Sequence, residues 1–393
     1  MLLTLRRIPT LSSERSLSVM QRIAMKSRRF FSLRAAEPVR PSTLSELPFF
    51  PMDDRRGVCV VGAGRMGMIR AGGVLSNPGT ILTAVVDTDR EKSVALAKHL
   101  CVPAFRSLQD ALGDPRCDAV WVSGPTPSHK ETIILAAEAG KACAYAVAVE
   151  KPVATTVDDI LECHKVCEAN GVPLFCSYQR RTDQSFTQLA AAVRAGEVGH
   201  VRSVRAVFRD HPTPTLEFLK EGGDIFHDLA PHDIDFVCFS LGLGDPTEVY
   251  ATATSFQSEL EECGVKDTAA CMFRFSSGVT FTLEMTRSSA YGYDNRIEVV
   301  GDKGMLEVLN PPRNSLKFSS EKGCTGGRPD HSFPERYRQA YISEVGAFEQ
   351  MIRGLAEPPV TCIQSCHTSV IAEAASQSAA TGGPVRISFD GIC

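Results

Sequence analysis

The sequence predicts an α/β domain followed by an α+β domain, on three observations. A short apolar strand, Val58 to Val61, runs straight into Gly62, Gly64 and Gly67. Apolar strand segments then alternate with helical patterns as far as residue 178, the signature of βα units. Beyond residue 200, VRSVRAVFR, TEVYATATSF, TAACMFRF, VTFTLEMT and NRIEVVG read as strands in close succession. Residues 1–51 stand apart as a targeting or disordered segment, 52–178 form the first domain and 179–393 the second.

Composition bounds the function classes. A chain of 393 residues, 43% hydrophobic and 22% charged, suits two domains with proper cores. A net charge of -4 leaves no nucleic-acid footprint. No apolar run approaches the roughly 20 residues of a membrane-spanning helix. The 14 cysteines are scattered and read as reduced thiols. Cys163, His164 and Cys167, and again Cys362, Cys366 and His367, come nearest to metal spacing, but neither group has a second ligand pair, so no metal is expected.

The first 40 residues carry nine basic side chains from Arg6 to Arg40 against only Glu14 and Glu37. Positions 15, 22, 26 and 29 recur at helical spacing, which predicts a mitochondrial presequence cut near Phe31. A cytoplasmic start at Met52 is the alternative.

The spacing G-x-G-x-x-G lets the backbone turn tightly, approach a pyrophosphate and open a closely packed helix whose N-terminus attracts phosphate. Gly62, Gly64 and Gly67, with Arg65 and Met66 between the last two, are therefore placed at a dinucleotide. Asp87 ends the next apolar strand, 20 residues beyond Gly67. There it accepts from the adenosine ribose hydroxyls and repels a ribose phosphate, favouring NAD over NADP, with Arg90 arguing the other way. Asp118 to Pro125 supplies a further strand, with Ser123 and Thr126 at its end. His129 follows, either at the cofactor or simply on a helix face. CAYAVAVEKPVATT ends an apolar strand in Glu150, Lys151 and Pro152. A lysine at the carboxyl end of a central parallel strand points into the ligand crevice, although a surface-loop lysine is the plainer reading.

In GGDIFHDLAPHDID, Asp228 and His232 are one turn apart on a predicted helix. Such a pair holds an imidazole in one tautomer while it takes a hydroxyl proton, or is an ordinary surface ion pair. Asp233 and Asp235 read as capping or solvated residues, and Pro231 predicts a bend.

Taken in order, the glycine loop, Asp87, EKP, and GG followed by D-x-x-x-H-D-x-D make residues 58–388 resemble the glucose-fructose oxidoreductase/inositol dehydrogenase (Gfo/Idh/MocA) family. YQRR at 178–181, FRDHP at 208–212 and YGYDNRIEVVGDKGML at 291–306 are similar to its inositol 2-dehydrogenase branch. The resemblance implies a Rossmann domain followed by an α+β domain with a large, mostly antiparallel open sheet. In VTFTLEMT the alternation gives that sheet one face for core and one that is wet or meets a partner subunit, and the family implies a homodimer or homotetramer through it.

The implied reaction is NAD-dependent oxidation of a polyol hydroxyl, with myo-inositol going to 2-keto-myo-inositol. His232 is implied as the base, Asp228 as the group that orients it and stabilises the imidazolium, and Lys151 as a bridge between cofactor and substrate, with Glu150 beside the cofactor. Arg180, Asp210 and Tyr293 join Lys151, Asp228 and His232 around the substrate ring, with an exposed salt bridge the competing role for Arg180. Another cyclitol, sugar or dihydrodiol is the alternative substrate. A non-catalytic NAD-binding regulator is the alternative of another class, and the joint presence of Lys151, Asp228 and His232 argues against it. One departure is the long stretch between Gly140 and Lys151. A strand slipped there by one residue would turn the lysine away.

Overall fold

The structure is a computed structural model and describes residues 54–139, 145–221 and 223–392. Strands β1 (Arg56–Val61), β2 (Thr80–Val86), β3 (Ala104–Phe105), β4 (Ala119–Val122), β5 (Ala146–Glu150) and β6 (Leu174–Ser177) form a parallel sheet in the order β3-β2-β1-β4-β5-β6. Helices cover both faces, so Val58 to Val60, Ala119 to Val122 and Ala146 to Val149 are buried without alternation. The order reverses between β1 and β4, and a ligand crevice opens at the carboxyl ends of those strands. Val122 pairs with Val149, and Glu150 with Ser177, so Lys151 emerges at the end of the sheet with no slip in β5. The long connection before it falls partly on residues 140–144, outside the described residues.

The second sheet is built from β7 (Val201–Arg209), β8 (Pro246–Thr254), β9 (Thr268–Phe275), β10 (Thr280–Thr286), β11 (Asp294–Gly301) and β12 (Met305–Val308). After a small hairpin of β13 (Phe318–Ser320) and β14 (Gly323–Thr325), β15 (Val385–Arg386) completes it in the order β12-β11-β7-β10-β9-β8-β15. Only β7 and β10 run parallel; the other neighbours are antiparallel. Along β10, Phe281, Leu283 and Met285 are buried while the threonines and Glu284 face away, so the period of two read from the sequence is the period of burial. The buried face packs against Phe186, Leu189, Ile234, Ile371 and Ala375 from the covering helices.

A boundary between residues 178 and 179 leaves one helix on the wrong side. Arg338–Ile352, expected in the second domain, returns to the first sheet, where Val345, Phe348, Met351 and Ile352 join Val60, Trp121 and Phe175 in one core. The Phe348 ring centroid lies 5.1 Å from that of Trp121 and 5.7 Å from that of Phe175. The apolar stripe of this helix marks it as core-facing but carries no sign of which core it faces. Among the described residues no helix is long and apolar enough to cross a membrane.

Candidate active site

The glycine loop has the shape that the sequence spacing requires. Gly62 has φ 103°, and a Cβ there would come within 2.7 Å of the Ser123 backbone. A Cβ on Gly67 would meet the Gly62 carbonyl at 1.7 Å, so the helix packs directly on the turn. Gly64 has open space where its Cβ would be, leaving its backbone open to a close-fitting ligand. The helix Arg65–Ser76 starts there with no side-chain cap, so its first N–H groups remain for an anion.

Asp87 accepts from the N–H of Ala63 at 2.7 Å and from that of Asp89 at 2.8 Å. These bonds fix the carboxylate at the end of the glycine turn and leave lone pairs for a ribose diol. Arg90 is exposed, beyond the N-cap Asp89. The Ser123 hydroxyl is buried without a hydrogen-bond partner at the end of β4, and Thr126 opens the short turn Thr126–Ser128 after it. An open glycine backbone, an anchored acid and an orphaned hydroxyl around one crevice fit a dinucleotide. Arg65 stacks over the Phe333 ring at 4.4 Å, and Met66 packs against the core of the second domain.

Two residues expected at the cofactor face elsewhere. His129 is buried, with Nδ1 2.9 Å from the Pro152 carbonyl and Nε2 2.9 Å from that of Gly124. Burial lowers its pKa, and the ring ties the turn after β4 to the turn after β5 instead of offering a free nitrogen. Glu150 accepts from Arg70 Nε at 2.5 Å, Arg70 Nη2 at 3.1 Å and Trp121 Nε1 at 3.0 Å. Arg70 also donates to Glu344 at 2.8 Å and to Ser177 at 2.5 Å. A fully buried guanidinium binds the Glu150 carboxylate, and the next side chain along the strand, Lys151, turns the other way.

GGDIFHDLAPHDID is helical from Ile225 onward with one irregularity. Asp224 caps the turn Ile225–Asp228, Leu229 keeps helical dihedrals (φ -93°, ψ -45°) with its N–H on the Ile225 carbonyl at 3.0 Å, and Pro231, which has no N–H to give, stands in the first turn of Ala230–Asp235. Lys151 Nζ donates to Asp228 Oδ1 at 3.0 Å and to the Asp228 main-chain oxygen at 2.6 Å. Arg287 Nη1 donates to Asp228 Oδ2 at 2.7 Å. Burial works to raise the Asp228 pKa, but Lys151 and Arg287 outweigh it and hold the carboxyl below its usual range.

His232 has no hydrogen bond to Asp228, which corrects the expectation that Asp228 orients it; its Nδ1 is buried without a partner. The carboxylate answers two cations, Lys151 and Arg287, rather than a neutral ring. The imidazole sits between Tyr178 and Phe208, with ring centroids 6.4 and 5.9 Å away. Burial first, then the charges of Lys151 and Arg180, push its pKa well below the ordinary value. The ring is neutral at physiological pH, the form that accepts a proton.

Arg180 is 1% exposed and pairs with the equally buried Asp233. Its guanidinium lies 5.3 Å from the Phe186 ring and 5.6 Å from that of Phe208, with Nε and Nη2 left without partners. The exposed salt bridge and the solvated Asp233 are thereby corrected. So is Asp235, which is buried and accepts from Arg181 at 2.6 and 2.9 Å. Tyr293 is buried beside Phe208, ring centroids 5.8 Å apart, in the aromatic layer that also flanks His232. Asp210 follows directly on β7, and burial pushes its pKa up to about 6 against the pull of the His211 N–H.

Sequence reasoning missed Arg70 and Arg287, since neither spacing nor motif marks an arginine whose partners lie 80 and 59 positions away. Among the described residues no three His, Cys, Asp or Glu side chains gather as a metal site. Burial pushes the Cys163 and Cys167 thiols up to about 12, and His367 Nδ1 lies 2.9 Å from Asp245.

Comparison with known proteins agrees with this architecture. Residues 56–178 match the oxidoreductase family with an NAD-binding Rossmann fold, and residues 186–307 match the GFO/IDH/MocA C-terminal domain. The chain is 32% identical over 302 residues to the myo-inositol 2-dehydrogenase of Thermotoga maritima, spanning 76% of this chain and 89% of that protein. It is 29% identical to the scyllo-inositol 2-dehydrogenase (NAD(+)) of Bacillus subtilis, over 86% of this chain and 97% of that one. The crystal structure of myo-inositol 2-dehydrogenase from Lactobacillus plantarum matches with a TM-score of 0.78 at 27% identity, covering 85% of this chain and 100% of that chain. These relatives are bacterial, which overturns the mitochondrial expectation, and the basic stretch lies outside the described residues, so no presequence is read from it. With both domains matched in order along one chain, this protein belongs to the Gfo/Idh/MocA family of oxidoreductases and is an NAD-dependent dehydrogenase acting on CH–OH groups.

Proposed function

We propose that the chain oxidises a ring hydroxyl of a cyclic polyol, taking myo-inositol to 2-keto-myo-inositol. The observation that carries this reading is the meeting of Lys151, from the end of β5, with the turn that leads into a neutral, half-buried His232. Bound NAD supplies the acceptor for the hydride that leaves carbon. The protein's own residues handle the oxygen. His232 takes the hydroxyl proton, and Lys151 donates to the oxygen as charge accumulates there. Asp228 keeps the Lys151 ammonium in place.

Arg180, Asp210 and Tyr293 supply polar groups for the remaining hydroxyls. A ring hydroxyl left unpaired in such a pocket costs binding free energy, so a site built this way rejects analogues lacking the matching group. The names of the relatives, inositol dehydrogenases at about 30% identity, support the substrate class. Exposed Tyr250 and Met272 on the outward face of β8 and β9 support self-association through the second sheet, as a dimer or tetramer.

The purified protein is to be mixed with NAD and a panel of cyclitols, sugars and dihydrodiols while reduced nicotinamide is followed by absorbance. Turnover is expected with cyclic polyols, myo-inositol foremost. Turnover confined to open-chain sugars or dihydrodiols, or absent throughout, overturns the reading.

A further inference from the structure

Asp228 has two cationic partners, and Arg287 is the one no motif marks. Arg287 follows directly on β10, and its main-chain N–H is bound to the Asp267 carbonyl at 2.8 Å. Its side chain is 1% exposed. Nη1 reaches Asp228 Oδ2 at 2.7 Å and Nη2 reaches the Gly223 carbonyl at 3.2 Å. Gly223 has φ 83°, a left-handed turn just ahead of Ile225–Asp228. One rigid guanidinium fork therefore holds both ends of the segment that carries Asp228.

The consequence falls on Lys151. An ammonium has three N–H donors. Two of them are engaged by Asp228, through Oδ1 and the main-chain oxygen, which leaves one to aim into the crevice. The aim of that last donor depends on where Asp228 stands. With Oδ2 bound by Arg287, the carboxylate cannot rotate away from the lysine or swing toward His232.

We propose that Arg287 is a positioning residue for the oxidation: through Asp228 it fixes the Lys151 ammonium against the reacting oxygen. It touches no reacting atom itself. This inference rests on the dehydrogenase reading above.

The test is a double-mutant cycle on the full chain with Arg287→Met, Asp228→Asn and both together, reading kcat, the KM for NAD and the pH profile. Arg287→Met is expected to lower kcat about 10- to 100-fold, the scale of a misplaced catalytic group. The KM for NAD should stay within about two-fold, because the glycine loop is untouched. The losses from the two single variants should not add, since both act on one carboxylate. The acid limb of the Arg287→Met profile should move to higher pH, as Asp228 loses a cation that favours its charged form, and the shift should be absent in the Asp228→Asn background, where His232 alone is left to titrate. Arg287→Lys restores the charge without the fork, so it should return the limb but only part of kcat. It replaces Arg287→Met in the cycle if that variant does not fold. Additive losses, an unmoved limb or wild-type kcat in Arg287→Met would overturn the proposal. A wild-type enzyme inactive on every polyol would instead sink the functional reading on which it rests.

Discussion

Lys151 and Asp228 are joined twice, at 3.0 Å through a carboxylate oxygen and at 2.6 Å through the main-chain carbonyl, so an ammonium from the first sheet clasps a turn of the second domain. Lys151→Met removes the donor proposed to meet developing charge and is expected to lower kcat by about 100-fold or more. It also removes the cation that, after burial, does most to hold the His232 pKa down. The imidazole should then protonate at higher pH, and the acid limb of the kcat profile should move upward. A limb that stays in place would mean that His232 is not the group titrating there.

His232→Ala deletes the proposed base without touching the glycine loop. Turnover is expected to fall about 100- to 10,000-fold. NAD affinity, followed by fluorescence titration, should be unchanged. Turnover near the wild-type rate would make the GGDIFHDLAPHDID segment a structural element only.

Asp210 changes its hydrogen-bonding character in the working pH range. Its pKa of about 6, raised by burial, makes it a donor below that pH and an acceptor only above it. The KM for the polyol should therefore show a step centred near the same pH, and Asp210→Asn should flatten it. A step that survives the substitution would assign the titration to another group.

Arg70, fully buried, neutralises the buried Glu344 and the partly buried Glu150. Arg70→Met leaves two carboxylates there without their cation. Removing one partner of a buried pair costs about 3–5 kcal/mol, to be read from the urea midpoint at constant m. A shift under about 1 kcal/mol would show that the pocket rehydrates and that the cluster is not what holds β5 to the glycine-loop helix.

The parts of the molecule legible in the sequence were those with local signals. The glycine loop announces itself because Gly62 and Gly67 sit where a Cβ has no room, and β10 because its side chains alternate between core and surface. Asp87 was readable from its distance to the loop, which the β1–β2 pairing fixes. The Asp228–His232 pairing was not, because i, i+4 spacing puts two side chains on one face without choosing their partners, and Asp228 is taken by Lys151 and Arg287. The carboxylate goes to whichever charges the fold brings near, and Lys151 lies 77 positions away. Glu150 fails for the same reason: its strand was clear, but the cation beneath it comes from another element.

The helix Arg338–Ile352 joins the second sheet to the core of the first. At its start, the Tyr337 hydroxyl donates to Asn295 at 2.9 Å and the Tyr337 ring lies 6.1 Å from that of Tyr293. Towards its end, Phe348 is wedged against Trp121 and Phe175 beneath the nucleotide sheet. Fifteen residues of α-helix make a rod of about 22 Å, stiff along its axis. Anchored at both ends, such a rod ties the aromatic layer around Tyr293 to the core beneath the first sheet, and any change in its length would be felt at both.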